Sequence, residues 1–298
     1  MSRKFRLEEE RAKHLQDEIQ EEEDKLKAQK ERIFGPIVWK RLPSGIKIMD
    51  LQSVNYIQAV NIIMEFFVKK NVIFRNTTRF LEDEDSVTSF RDKLLISMMD
   101  RSSIIATKEE EDPDIDEEIV GILLLKAVKK CDYGRVFSRV ALNSGKPYAS
   151  IIKFLNGINR KIDIFEEFQC DSYLRFYLMC IKPEYRGKLL GYQLMSTALN
   201  VARHLKISVM MGIFDSWKLQ EYAKKLGMQK FFEILYKKYH DDEEELIFCD
   251  LGAGNYTCAL MAGTIPSFPQ PEKLVFKVES VTKPRTRAEK REKYKKNR

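Results

Sequence analysis

The 298-residue sequence contains no CxxC pair, and its five cysteines, Cys131, Cys170, Cys180, Cys249 and Cys258, are odd in number. Neither a cysteine-based zinc site nor a disulfide framework is suggested, so the thiols are expected to be free and buried in a reducing compartment. Histidine is scarcer still. His14, His204 and His240 are the only three, and none has a ligand partner at metal-binding spacing. No metal site is expected. No apolar run approaches the roughly 20 residues that cross a bilayer. The opening Met-Ser-Arg-Lys-Phe-Arg lacks the apolar core of a signal peptide. These absences predict a soluble, cytoplasmic protein without a membrane span. No internal repeat is present.

The excess of positive charge sits at the C-terminal end. The net charge is +7, and nine Lys or Arg against two Glu between Lys283 and Arg298 account for all of it. The remainder is near neutral, so the basic character does not argue for a nucleic-acid-binding fold. The segment reads as a disordered basic tail over 281–298. It is suited to weak contact with acidic partners or to nuclear import, which makes the nucleus the alternative location. Residues 4–32 are nearly all charged or helix-favouring, without Gly or Pro. They predict a charged N-terminal helix within a segment 1–35, a short coiled coil being the alternative. Gly35-Pro36 ends it.

Between these ends, residues 36–280 have the composition of one folded domain. Ile46–Met49 reads as a first strand. Helices are expected over 54–70, with Ile57, Val60, Ile63, Met64 and Phe67 inward, and over 85–101. Strands follow at 103–106 and 119–127 across an acidic loop, and then a helix over 150–168. From Tyr173 the order is strand 173–181, helix 191–204, strand 207–214, helix 217–226, strand 231–239 and a final strand over 256–265. Helices alternating with strands in this way make an α/β (α+β) domain, a mixed sheet flanked by helices.

One stretch carries chemistry: Met179-Cys180-Ile181-Lys182-Pro183-Glu184-Tyr185-Arg186-Gly187-Lys188-Leu189-Leu190-Gly191-Tyr192. A strong strand runs into a short loop with two glycines and two cations, and an amphipathic helix begins. Unpaired amides at a helix start, with the helix dipole behind them, favour an anion such as a pyrophosphate. Gly187 and Gly191 let backbone approach closely, and Arg186 and Lys188 add positive charge. By itself the pattern also fits a plain strand-turn-helix with solvated cations.

Pro-Glu-Tyr-Arg-Gly-Lys-x-x-Gly after an apolar strand closely resembles the acyl-CoA signature of the GNAT superfamily. Arg186 and Gly191 take the first and last positions, and Leu189 replaces the middle glycine. Lys224-Lys225-Leu226-Gly227-Met228 is similar to that family's Lys-Leu-Gly-Phe element, although a glycine-capped helix end reads the same way. The resemblance covers about residues 40–265. Its closest branch is the insect arylalkylamine N-acetyltransferase-like one, whose helix often reads Phe-Phe-x-Asp-Glu-Pro-Leu. Phe66-Phe67-Val68-Lys69-Lys70-Asn71-Val72 stands there in this chain.

The resemblance implies a mostly antiparallel GNAT-like sheet. It implies acetyl-CoA as co-substrate, held by Met179, Cys180, Ile181, Arg186, Gly187, Lys188, Leu189, Leu190, Gly191 and Tyr192. The main chain of Met179 and Ile181 would pair with the pantetheine arm. The catalytic set is altered: the branch's glutamate falls at Lys70, and a tyrosine common in the family falls at Ala223. Asp215, Ser216 and Tyr222 are the nearest alternatives, and each also fits a capping or core role. The expected function is N-acetyltransfer from acetyl-CoA to a primary amine, such as a small arylalkylamine-like acceptor. Two alternatives are a catalytically degenerate GNAT-fold module that binds acyl-CoA or a protein, and an enzyme acetylating protein N-termini or lysines.

Overall fold

A hairpin opens the described chain: β1 (Val38–Leu42) turns at Gly45 into antiparallel β2 (Ile46–Asp50). The structure, a computed structural model, describes residues 35–109, 117–132, 145–240 and 247–266. The charged segment expected over 4–32, most of the acidic loop before Ile119, the acidic run 241–245 and the basic tail lie outside the described residues.

Helix α1 (Tyr56–Ile62) passes into a π turn at Ile63–Phe67. Then come α2 (Val72–Asn76), α3 (Glu84–Met98), β3 (Ile104–Lys108) and β4 (Ile119–Lys129). Next are α4 (Lys146–Asn159), α5 (Ile164–Phe168), β5 (Ser172–Ile181) and α6 (Leu190–His204). β6 (Val209–Phe214), α7 (Trp217–Lys225), β7 (Gln229–Leu235) and β8 (Thr257–Thr264) complete the order.

The strands form one eight-stranded sheet in the order β1-β2-β3-β4-β5-β6-β8-β7. Every neighbour pair is antiparallel except β5–β6. β4 sits centrally, and its nearly continuous run Ile-Val-Gly-Ile-Leu-Leu-Leu is what a strand covered on both faces requires. One face, with Ile122, Leu124 and Val128, packs against Phe90 and Leu94 of α3 and Phe154 of α4. On the other face a Cβ at Gly121 would stand 3.1 Å from Leu194 of α6.

Two irregularities shape the middle of the sheet. The β5–β6 pairing runs only from Leu174–Phe176 to Met210–Gly212, so beyond Phe176 the two strands part. On its other edge β5 slips register against β4. Leu124 faces Leu178, Leu125 faces Phe176, and Tyr177 is left as an extra residue.

The structure corrects several expectations. β1 precedes the strand read as first; it is an edge strand with half its side chains in solvent, so its apolar signal is weak. Trp39 and the amide of Ile37 hold it by donating to buried Asp50 at 2.7 and 3.0 Å. The helix expected over 150–168 is two, because the Asp163 side chain accepts from the amides of Phe165 and Glu166 and starts a new one. Ile57, expected inward, is 64% exposed, and Ala59 and Ile62 are buried in its stead. All five cysteines are free, but only Cys180 and Cys258 are buried, and Cys131 and Cys249 are exposed. Among the described residues no helix is long and apolar enough to cross a membrane.

Candidate active site

The parted strands and the loop after β5 form one continuous site. At the end of β5, Pro183–Tyr185 makes a single 3-10 turn. Lys182 and the Tyr185 hydroxyl anchor it to Glu118 at 2.6 and 3.1 Å. Gly187 follows with φ +80°, in open space, and then Leu189 with φ +61° and ψ 4°. Leu189 therefore holds the left-handed conformation that a glycine takes without strain, at a cost of roughly 1–2 kcal/mol.

Leu189 is also the N-cap of α6, and no side chain caps that helix. A 15-residue helix thus points its first-turn amides and dipole out of the loop with no acidic residue in the first turn. This is the arrangement an anion completes. Gly191 leaves no spare room. A Cβ there would meet Met179 Cε at 3.0 Å, Ile181 Cδ1 at 3.3 Å and the Tyr222 ring at 3.3 Å.

The loop cations are engaged in different ways. Arg186 donates to the carbonyls of Ile181 at 2.8 Å and Phe66 at 3.3 Å. It ties the end of β5 to the π turn, and it acts as a brace at least as much as a free charge. Lys188 lies over the Tyr185 ring at 5.7 Å. The Cys180 side chain turns inward, its thiol toward the Ile62 carbonyl at 3.8 Å, and burial pushes its pKa up to about 12. Only its main chain is placed to serve a ligand.

Where β5 and β6 part, a cavity of about 160 Å³ opens. Its lining draws on both faces of the sheet: Met179 and Met195 from one side, and Phe67, Phe74, Tyr148 and Tyr177 from the other. Asp215, just past the end of β6, is the only carboxylate among the described lining residues. Burial pushes its pKa up to about 6, against the opposing hydrogen bond from Asn71. The Asn71 amide donates to Asp215 Oδ2. Below it the buried Tyr236 hydroxyl donates to the Asp215 carbonyl at 2.8 Å. Tyr177, the extra residue of β5, shares hydrogen bonds with Tyr148 and Ser97, and burial raises both phenols.

Of the three residues singled out for chemistry, Asp215 alone lines the cavity. Ser216 is the N-cap of α7, makes no cap hydrogen bond with its side chain, and is not among the lining residues. Tyr222, 7% exposed, packs edge-on to Tyr192 at 5.7 Å and covers Gly191. Ala223, at the family's tyrosine position, is wholly buried. Lys70 is exposed and does not line the cavity. Sequence reasoning missed Asn71 and Tyr177. The signals were an asparagine four residues after Phe67 and a second tyrosine in β5, and neither is specific. Among the described residues no group of His, Cys, Asp and Glu could hold a metal ion.

No family model matches the chain, and no curated protein matches it in sequence. Solved structures do match in fold. A protein assigned as arylalkylamine N-acetyltransferase 7 from Aedes aegypti aligns with TM-score 0.66 and 18% identity, over 78% of this chain and 96% of its own. Arylalkylamine N-acetyltransferase 2 from the same mosquito gives TM-score 0.62 and 20% identity, over 74% and 99%. A Drosophila melanogaster polyamine N-acetyltransferase, which forms N-acetylagmatine, gives TM-score 0.62 and 16% identity, over 74% and 100%. With its parted β5–β6 pair, its capless α6 and nearly the full length of each of these proteins matched, the chain has the GNAT fold of the insect arylalkylamine N-acetyltransferases.

Proposed function

We propose that the protein transfers an acetyl group from acetyl-CoA to the primary amine of a small arylalkylamine-like acceptor. The observation that carries this reading is Asp215, a carboxylate with pKa about 6, at the point where β5 and β6 part.

The chain's residues fit the co-substrate on two counts. The first-turn amides at Leu190, Gly191 and Tyr192 are placed to receive an anion, and left-handed Leu189 bends the loop ahead of them. Among the described residues the β5 edge from Tyr177 to Ile181 has no partner strand on the β6 side, which would leave its main chain open to an amide-bearing arm. Acetyl-CoA supplies the thioester carbonyl that the amine attacks, and the C–S bond breaks as the thiol leaves.

The protein's own tasks are positioning and proton removal. The aromatic wall of Phe67, Phe74, Phe90 and Tyr148 suits a ring-bearing acceptor. Asp215 accepts the proton that the attacking nitrogen must lose, directly or through one water. A conjugate acid near 6 leaves the group ionised at neutral pH while keeping it a useful base. Asn71 holds the carboxylate in place from the start of α2. Tyr222 and Arg186 keep the cradle in shape, through Gly191 and Ile181 respectively.

A second reading, cofactor binding without turnover, draws on Ala223 and exposed Lys70 at positions where relatives of this fold carry functional groups. Calorimetric titration of the purified chain with acetyl-CoA and with CoA, followed by thiol release over an amine panel, separates the two. Acetyl-CoA binding with amine-dependent thiol release supports transfer. Binding with no release from any amine supports the binding module. No binding of either nucleotide defeats both.

A further inference from the structure

Lys126 of β4 and Arg175 of β5 are direct cross-strand partners, and both line the cavity that Asp215 also lines. Directly opposed residues of an antiparallel pair project to the same face, and like charges placed so are destabilising. Among the described residues neither has an ion-pair partner. Lys93 of α3 lines the same cavity. The lining thus carries three cations against a single carboxylate, among apolar side chains such as Ile151 and Leu155. In such surroundings the mutual repulsion is stronger than it would be in water.

The Arg175 guanidinium is also positioned. It lies 5.9 Å from the ring centre of Tyr177, whose hydroxyl is tied to Tyr148 and Ser97. The phosphates of the co-substrate are not its counter-ion. Arg175 precedes Ile181, where the loop begins, by six positions along β5, roughly 20 Å at the usual strand rise. Lys126 and Arg175 share the face of Leu124 and Leu178, under α3 and α4, whereas α6 lies on the opposite face.

We infer that the acceptor carries a carboxylate as well as its amine, bound by Arg175 and Lys126, so that the substrate class is an aryl-bearing amino acid and not a simple arylalkylamine. The inference deepens the proposed acetyl transfer and rests on it. Arg175 offers the planar fork that pairs with a carboxylate through two hydrogen bonds, and Lys126 offers a second positive charge next to it. The aromatic wall takes the ring. The nearby cations also favour the neutral form of the acceptor amine, the form that attacks.

The test is calorimetric titration of the purified full chain with 3-phenylpropionate, its carboxamide and phenethylamine. The wild-type protein is expected to bind the acid about tenfold more tightly than the amide, the scale of one charge-assisted hydrogen bond. Arg175→Met and Lys126→Met are each expected to remove most of that preference and leave amide binding within about twofold. Equal binding of acid and amide, tighter binding of the amine than the acid, or no binding of any of the three overturns the inference. The wild-type comparison needs no variant, so a substitution that fails to fold does not remove the test. Acetyl-CoA binding and thiol release are read separately. Their absence alongside a retained preference for the acid overturns acetyl transfer while supporting the anion site.

Discussion

The side-chain amide of Asn71 donates to the carboxylate of Asp215, joining two residues 144 positions apart at the mouth of the parted strands. The other end of that amide is already used. Asn71 Oδ1 accepts from the amides of Ile73 and Phe74 at 2.9 and 3.2 Å, capping α2. The cap fixes which end of the side chain faces Asp215. Burial raises the carboxyl's pKa, hydrogen bonds from its own backbone and from Asn71 lower it by less, and the outcome is about 6.

If Asp215 is the base, kcat/KM rises with pH through about 6, as the carboxyl loses its proton. Asp215→Asn is expected to abolish that limb and to lower kcat by about 10²–10⁴-fold, the usual contribution of a general base. A pH–rate profile with the same limb in the variant would remove Asp215 from the mechanism.

The same substitution should stabilise the fold at neutral pH. The folded pKa of about 6 lies above the group's ordinary value of 3.8, so the folded state holds its proton more tightly. Asp215 therefore costs no stability below the unfolded pKa. The cost grows as pH rises between the two values and is complete above about 6. Asn at this position escapes that cost, and Tm at pH 7 is expected to rise by an amount equivalent to about 1–3 kcal/mol. Thermal melts at pH 4 and pH 7 check this, since the gain should be small at pH 4.

Asn71→Asp keeps an N-cap on α2 but replaces the donor to Asp215 with a second carboxylate. Two carboxylates sharing a site cannot both ionise easily. The acid limb of the rate profile is expected to move above 6 with little change in Tm at pH 5. An unmoved limb would show that Asn71 does not govern the base.

Leu189→Gly removes a side chain from a left-handed position and gives up its half-buried surface. The relief of roughly 1–2 kcal/mol is offset by that lost burial and by a freer unfolded chain. Stability should therefore change by less than about 1 kcal/mol. Titration with acetyl-CoA is expected to show binding up to about tenfold tighter, as the cradle widens toward the phosphates. Weaker binding would mean that the Leu189 side chain itself contributes to the site.

Lys70→Glu places a carboxylate at the position that the sequence resemblance assigns to a glutamate. Lys70 is exposed and outside the cavity, so the change is expected to alter kcat by less than about twofold, a typical surface substitution. A large gain in thiol release would show that this turn moves during the reaction.

The loop from Ile181 to Gly191 was legible because its chemistry is local: a strand end, two glycines and a helix start within eleven residues. Helices α6 and α7 were legible for the same reason, since the apolar period lies within each segment. β1 was not, because an edge strand buries too little to impose alternation. Tyr222 packs on Gly191, a contact between two helices that spacing along one of them does not show.

By itself the sequence determined the fold class, the order of most elements and the anion-seeking start of α6, because these follow from short-range periodicity, turn chemistry and one local motif. Only the tertiary structure decided which polar groups share the cavity. Asn71, Lys126, Arg175 and Asp215 come from α2's cap, two strands and the turn after β6, and all four line one cavity that opens where β5 and β6 part after three paired residues. That juxtaposition depends on register and on where two strands stop pairing. Both are set by packing across the whole sheet, and neither is written in any one segment.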